Sequence, residues 1–136
     1  MAFMDWGPAL SVGIPRFDDE HRRLVGMLND LHDAVQAGHG AATLGPVLSG
    51  LVVYTLTHFE HEEQELERHG FPGLAAHKAE HDALTAQVAA LECQFDENAS
   101  PALAGDVAHF LRNWLAGHIL GTDQDYTAFL IQHGVR

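Results

Sequence analysis

Seven residues at four places in this chain offer one kind of chemistry: His21, then His58 and Glu62, then His77 and His81, then His118 and Asp123. Imidazole nitrogens and carboxylate oxygens are the donors that first-row metal ions accept. Residues four apart on an α-helix lie about 40° apart on one face and about 6 Å apart along the axis. His58 and Glu62 therefore reach a common centre, and so do His77 and His81. An i, i+4 pair arises often by chance, so the placement of these pairs on hydrophobic stripes carries the argument.

The first stripe runs Phe17, His21, Leu24, Leu28, Leu31, Val35, and the second Val47, Leu51, Tyr54, His58, Glu62. The third reads Leu74, His77, His81, Leu84, Val88, Leu91, and the fourth Leu103, Val107, Phe110, Trp114, His118. Each puts a metal-binding side chain where leucine belongs. Any one of them reads equally well as a core histidine satisfied by a neighbour, but all seven together do not. A buried polar group without a partner costs about 1–3 kcal/mol. Seven such groups would cost about 7–20 kcal/mol, which rivals the entire stability of an ordinary domain at about 5–15 kcal/mol.

Imidazole suits iron, copper, zinc and nickel, and the added carboxylates shift the preference toward iron or manganese. Structural zinc takes four ligands, so seven exceed one zinc and suit two octahedral ions bridged by the carboxylates. Two octahedral ions offer about 12 positions. Five nitrogens, four carboxylate oxygens and a bridging oxide or hydroxide fill about 11 of those positions. One is left for a small molecule.

The text around these residues resembles the hemerythrin family and, within it, the single-domain bacteriohemerythrins. It comprises Phe17-Asp18-Asp19-Glu20-His21, His58-Phe59-Glu60-His61-Glu62-Glu63, His77 with His81, and Trp114-Leu115 through His118-Ile119 to Asp123 and Tyr126. Trp6 and Leu10-Ser11-Val12-Gly13 resemble the family's amino-terminal arm. The resemblance implies two Fe ions in an oxo- or hydroxo-bridged non-haem di-iron centre. His77, His81 and His118 would hold one iron, His21 and His58 the other, with Glu62 and Asp123 bridging. O2 would bind at the two-histidine iron and draw two electrons from the ferrous pair. The positions that resemble the family's O2 pocket are Leu24, Phe59, Trp114, Leu115 and Ile119, all apolar, and plain core packing accounts for the same residues.

Glu20 stands where relatives often carry glutamine. It is read here as a solvated charge in a first helical turn, the alternative being an acceptor for an imidazole N–H that makes the neighbouring ligand more basic. His32 shares the face of His21 but lies about 16 Å along the helix, and His39, His61, His69, His109 and His133 have no spacing that argues for ligation. The single cysteine, Cys93, falls off its stripe and reads as a bystander that cannot form an intrachain disulfide.

At 136 residues, with 46% hydrophobic content, the chain is long enough for one domain with one substantial core, spanning 1–136. A net charge of −12 argues against nucleic acid and anionic membrane surfaces as partners. The longest apolar runs, such as Leu51-Val52-Val53, fall far short of the roughly 20 residues of a membrane span, and Met1 to Trp6 lacks the features of a signal peptide. Cytoplasm is therefore the expected location, and a monomer the expected state.

Punctuation predicts an all-α chain of four helices and no strands. The first starts near Phe17 and ends at Gly38 to Gly40, the second starts near Pro46 and stops at Gly70, and the third ends near Cys93. The fourth follows the loop Asn98-Ala99, with Ser100 as N-cap and Pro101 at the first helical position. His118 and Asp123 are five apart, about 140° on a regular helix, so the backbone is expected to break at Gly121 and Thr122, with Thr122 capping a short last helix to Ile131. The expected architecture is an up-down-up-down four-helix bundle with an amino-terminal arm and a short carboxy-terminal helix.

The function read from this is reversible O2 binding for transport, storage or delivery to an oxygen-consuming enzyme, rather than catalysis. The alternatives are a di-iron peroxidase or nitric oxide scavenger, and an oxygen or redox sensor that needs a separate output partner. Iron storage ranks last, because seven ligands hold two ions.

Overall fold

The computed structural model describes residues 3–38, 41–97 and 100–135. Among these all regular structure is helical: a short 3₁₀ turn Pro8–Leu10, then α1 (Pro15–Gln36), α2 (Ala41–Arg68), α3 (Leu74–Glu97), α4 (Pro101–Gly117), a π turn (His118–Thr122) and α5 (Gln124–Gln132). Helix α1 packs against α2 and α4, and α3 packs against α2 and α4 in turn. This is the expected four-helix bundle with a short last helix. No described helix is long and apolar enough to cross a membrane.

The α1 stripe forms core almost whole, whereas on the other helices the expected stripes are only partly interior. Val47, Tyr54, Leu74, Leu91, Leu103, Phe110 and Trp114 are half-buried, and Leu48, Ala104, Ala108, Leu111 and Leu115 take interior places instead. Phe17, Leu24, Leu28 and Leu31 of α1, Leu51 of α2, Leu84 and Val88 of α3 and Val107 and Leu115 of α4 are buried around the axis. Helix α1 begins at Pro15, two residues before Phe17, because Ile14 is extended and proline's fixed φ suits a first turn. Gly38 and Gly70 take φ of +74° and +68° where α1 and α2 stop, a conformation that glycine adopts without Cβ strain. Phe71 N–H closes the second stop onto Leu66 C=O at 2.9 Å. His39, Gly40, Asn98 and Ala99, which entered the expected loops, lie outside the described residues.

Three boundaries differ from expectation. Helix α2 starts at Ala41, so Pro46 lies inside it, in the second turn, where it removes one hydrogen bond from the ladder. Helix α3 runs a turn past Cys93 because Phe95 is buried and keeps the apolar face going. The backbone after His118 widens rather than breaks. Asp123 N–H bonds to His118 C=O at 2.9 Å, an i to i+5 bond that brings residues five apart onto one side of the helix. Thr122 makes no cap; its hydroxyl donates to Glu80 at 2.7 Å. Ser100 caps α4 as expected, accepting from Leu103 N–H at 3.1 Å.

The amino-terminal arm closes one end of the bundle. Asp18 accepts from the Ser11 hydroxyl at 2.6 Å and the Val12 N–H at 2.8 Å. From α5, Thr127 donates to Val12 C=O at 2.8 Å and Gln124 to Ser11 C=O at 3.2 Å.

Candidate metal centre

The seven predicted residues converge at this capped end, each at most 4% exposed. Each helix from α1 to α4 or its π extension contributes, and all five histidines turn Nε2 inward. Glu62 Oε2 lies 3.0 Å from His21 Nε2 and 3.1 Å from His58 Nε2, whereas Oε1 lies 3.3 Å from both His77 Nε2 and His81 Nε2. Asp123 divides in the same way: Oδ1 is 3.2 Å from His77 Nε2 and 3.0 Å from His118 Nε2, and Oδ2 is 3.3 Å from His21 Nε2. Each carboxylate thus faces a three-histidine group with one oxygen and His21 with the other.

Whether this set suits cations can be read from its outer contacts. The Nδ1 of His58, His81 and His118 donate to Glu20 at 2.8 Å, Glu63 at 2.9 Å and Glu80 at 3.0 Å. With Nδ1 carrying the hydrogen, Nε2 presents a lone pair. Yet His81 Nε2 and His118 Nε2 stand 3.0 Å apart, and among the described residues neither oxygen of buried Asp123 finds a hydrogen-bond donor. Facing lone pairs at that distance need a cation between them, a metal ion or a proton. Two groups could each hold an ion, Glu62 with His77, His81, His118 and Asp123, and His21 with His58 and Glu62; Glu62 belongs to both. The residues present fit a metal pair.

Electrostatics agree. Burial opposes charge on His58 and His77, but the carboxylates around them outweigh it. The Glu62 charge and the hydrogen bond to Glu20 raise His58 to about 10, and the Asp123 and Glu62 carboxylates, 3.2 and 3.3 Å from its Nε2, raise His77 to about 9. Burial likewise pushes Glu62 up, but the neighbouring imidazoles hold it well below the ordinary carboxylate value. In the metal-free site protons take the place of metal charge.

The five expected pocket residues are dispersed. Leu24, Trp114 and Leu115 line a cavity of about 20 Å³ with Leu28, Leu51, Thr55, Leu84 and Leu111. Phe59 instead lines a larger opening of about 270 Å³ between α2 and α3, and Ile119, fully buried, lines neither of these two. Phe59 stacks on His81 with ring centres 3.8 Å apart, and Trp114 stacks on His118 at 4.4 Å. Both aromatic residues therefore fix rings of the three-histidine group.

Sequence reasoning missed the supporting shell. Glu20 is no solvated charge: it accepts from His58 and, at 2.5 Å, from His61, not from the adjacent His21. Burial raises its pKa, but these hydrogen bonds outweigh burial and hold it below the ordinary value. Glu80 was not singled out, and Glu63 and Tyr126 only within the motif. Tyr126 is fully buried, and its hydroxyl donates to Glu62 Oε2 at 2.8 Å. A usable signal existed, because Glu20, Glu63 and Glu80 each adjoin one of the seven in sequence. A residue next to an inward side chain sits about 100° round the helix, at the seam with the neighbouring helix.

Residues 12–130 match the hemerythrin HHE cation binding domain. The chain is 38% identical over 126 residues to a bacteriohemerythrin of Stenotrophomonas maltophilia, covering 93% of this chain and 80% of that one. It is 35% identical over 127 residues to a bacteriohemerythrin of Methylococcus capsulatus, covering 93% and 95%. The crystal structure of a wild-type hemerythrin superposes with a TM-score of 0.88 at 35% identity, over 95% of this chain and 98% of that one. A leucine-to-tyrosine mutant of hemerythrin gives 0.89 at 34% identity, over 96% and 98%. With a family profile that runs from Val12 at the end of the arm into the last helix, and relatives this similar over nearly the whole length, the chain belongs to the hemerythrin family.

Proposed function

We propose that this chain binds O2 reversibly at a non-haem di-iron centre, for oxygen transport, storage or delivery. The observation that carries the reading is the division of Glu62 and Asp123, each with one oxygen toward the three-histidine group and one toward His21. His77, His81 and His118 would hold one iron and His21 and His58 the other, with Glu62 and Asp123 shared between the two. When bound, the iron pair supplies two electrons and a vacant position for oxygen.

The protein's own part is to hold donors still and keep water away. Phe59 and Trp114 lock two rings by stacking. Leu24, Trp114 and Leu115 keep the small cavity mostly apolar, and the one hydroxyl in its lining, that of Thr55, is spent on Leu51 C=O at 2.8 Å. Tyr126 keeps its proton, because burial and the Glu62 and Asp123 charges push its pKa well up. Its O–H stays committed to Glu62. With no titratable group and no free hydroxyl in the cavity lining, binding rather than turnover is favoured, since oxygen activation draws on a general acid.

The same reading takes residues 1–136 as one oxygen-binding domain, monomeric and cytoplasmic, with an oxygen-consuming enzyme as recipient. The test is to load iron anaerobically, reduce, admit oxygen and apply vacuum. Colour that forms and bleaches repeatedly supports the carrier reading. Steady oxygen uptake in the presence of reductant, without a stable coloured form, contradicts it and favours the peroxidase-like alternative.

A further inference from the structure

The three outer carboxylates follow a rule of position. Glu20 on α1 serves His58 on α2, Glu63 on α2 serves His81 on α3, and Glu80 on α3 serves His118 on α4. Each helix lends a carboxylate to a histidine of the next. At the α4–α1 seam the series stops, because Gly117 and Ile119 flank His118, and His21 Nδ1 has no hydrogen-bond partner among the described residues. The two-histidine group therefore receives one outer carboxylate, and that is Glu20.

Glu20 differs from the other two in its surroundings. Its side chain is 14% exposed, against 22% for Glu63 and 46% for Glu80, so water screens its charge least. Its second oxygen is held by His61 Nδ1, on a ring 34% exposed. The second oxygen of Glu80 meets only the neutral Thr122 hydroxyl. His61 thus touches the metal site through one carboxylate while remaining open to solvent.

We infer that Glu20 is a positioning residue for the metal held by His21 and His58, acting through His58 Nδ1, and that His61 sets how strongly it acts. The inference rests on the ligand assignment above. A carboxylate that accepts an imidazole N–H makes the imidazole a stronger donor, which favours the ferric over the ferrous ion. The hydrogen bond from His61 draws part of the Glu20 charge away and weakens that push.

The experiment is a mediated electrode titration of the iron-loaded chain, in which one electron passes from ferrous iron to the electrode through a soluble mediator. Glu20→Gln keeps an acceptor oxygen and removes the charge. It should disfavour oxidation about tenfold, a rise of about 59 mV for one electron. His61→Ala, at a half-exposed position, should shift the equilibrium about threefold the other way, and should have no effect once Glu20→Gln is present. In the iron-free chain, a slowly exchanging His58 ring proton should appear by NMR and be lost in Glu20→Ala.

Two irons bound, with an unmoved potential in Glu20→Gln, overturn the inference and leave the ligand assignment standing. Equal His61→Ala shifts in both backgrounds overturn the part given to His61. Failure of the unmutated chain to take up an iron pair overturns the ligand assignment itself.

Discussion

Leu24→Ser separates a dry pocket from ordinary core packing. Leu24 is 1% exposed and borders a cavity of about 20 Å³. A cavity holds a water once it has about 10–15 Å³ of room and two to four polar partners. The first condition is met; polar partners are scarce, because Thr55 carries the one hydroxyl in the lining and donates it to Leu51 C=O. A hydroxyl at position 24 supplies another partner and admits water. Lost burial and an enlarged cavity should cost about 3 kcal/mol. That is a fall of about 12 °C in Tm for a chain of this size. One new hydrogen bond of about 1 kcal/mol to charge developing on departing oxygen speeds its loss about fivefold. The assay is the lifetime of the oxygenated absorption band, measured far below the lowered melting point, with iron content checked in parallel. Two irons retained with a shortened lifetime is the expected outcome. An unchanged lifetime alongside the full loss of stability would show Leu24 to be core alone and refute the pocket reasoning.

Glu62→Gln preserves shape but removes the anion that faces both histidine groups, so iron content should fall well below two per chain; full retention, measured by metal analysis, would show that Glu62 does not bridge. Iron loading should release protons, because carboxylates hold His58 at about 10 and His77 at about 9 in the metal-free site. Both values are raised above the unfolded one, so these charges stabilise the iron-free fold fully below about pH 6.5 and stop doing so as pH rises through 9 to 10. Anaerobic ferrous titrations in weakly buffered medium between pH 6 and 8 should therefore acidify, with apparent affinity rising about tenfold per pH unit for each proton displaced. Uptake without acidification would show those histidines to be neutral.

The inner cluster was legible because ligands on one helix keep its period: His58 with Glu62, and His77 with His81, stand on stripes that a leucine repeat had already drawn. The bundle was legible for the same reason. The step from His118 to Asp123 was legible only as a conflict with that period. A break and an i to i+5 turn both resolve it, and the wide turn keeps backbone hydrogen bonds paired where a break would leave them open. Pro46 was misplaced as a helix start because its cost is a single hydrogen bond, which one further turn of helix outweighs. The alternative role of Glu20 as an acceptor for an imidazole N–H was legible, but its partner was not: His58 lies 38 residues away on another helix, and no periodicity joins them. The cavities also depend on how side chains from three helices meet, which a one-dimensional pattern does not encode.

The central claim is that seven side chains divide between two irons, and crystals of the iron-loaded chain measured at the iron absorption edge test it directly. Two anomalous peaks are predicted, one contacted by His77, His81 and His118, the other by His21 and His58, with Glu62 and Asp123 touching both. A single peak, or two peaks with either carboxylate confined to one of them, would contradict it.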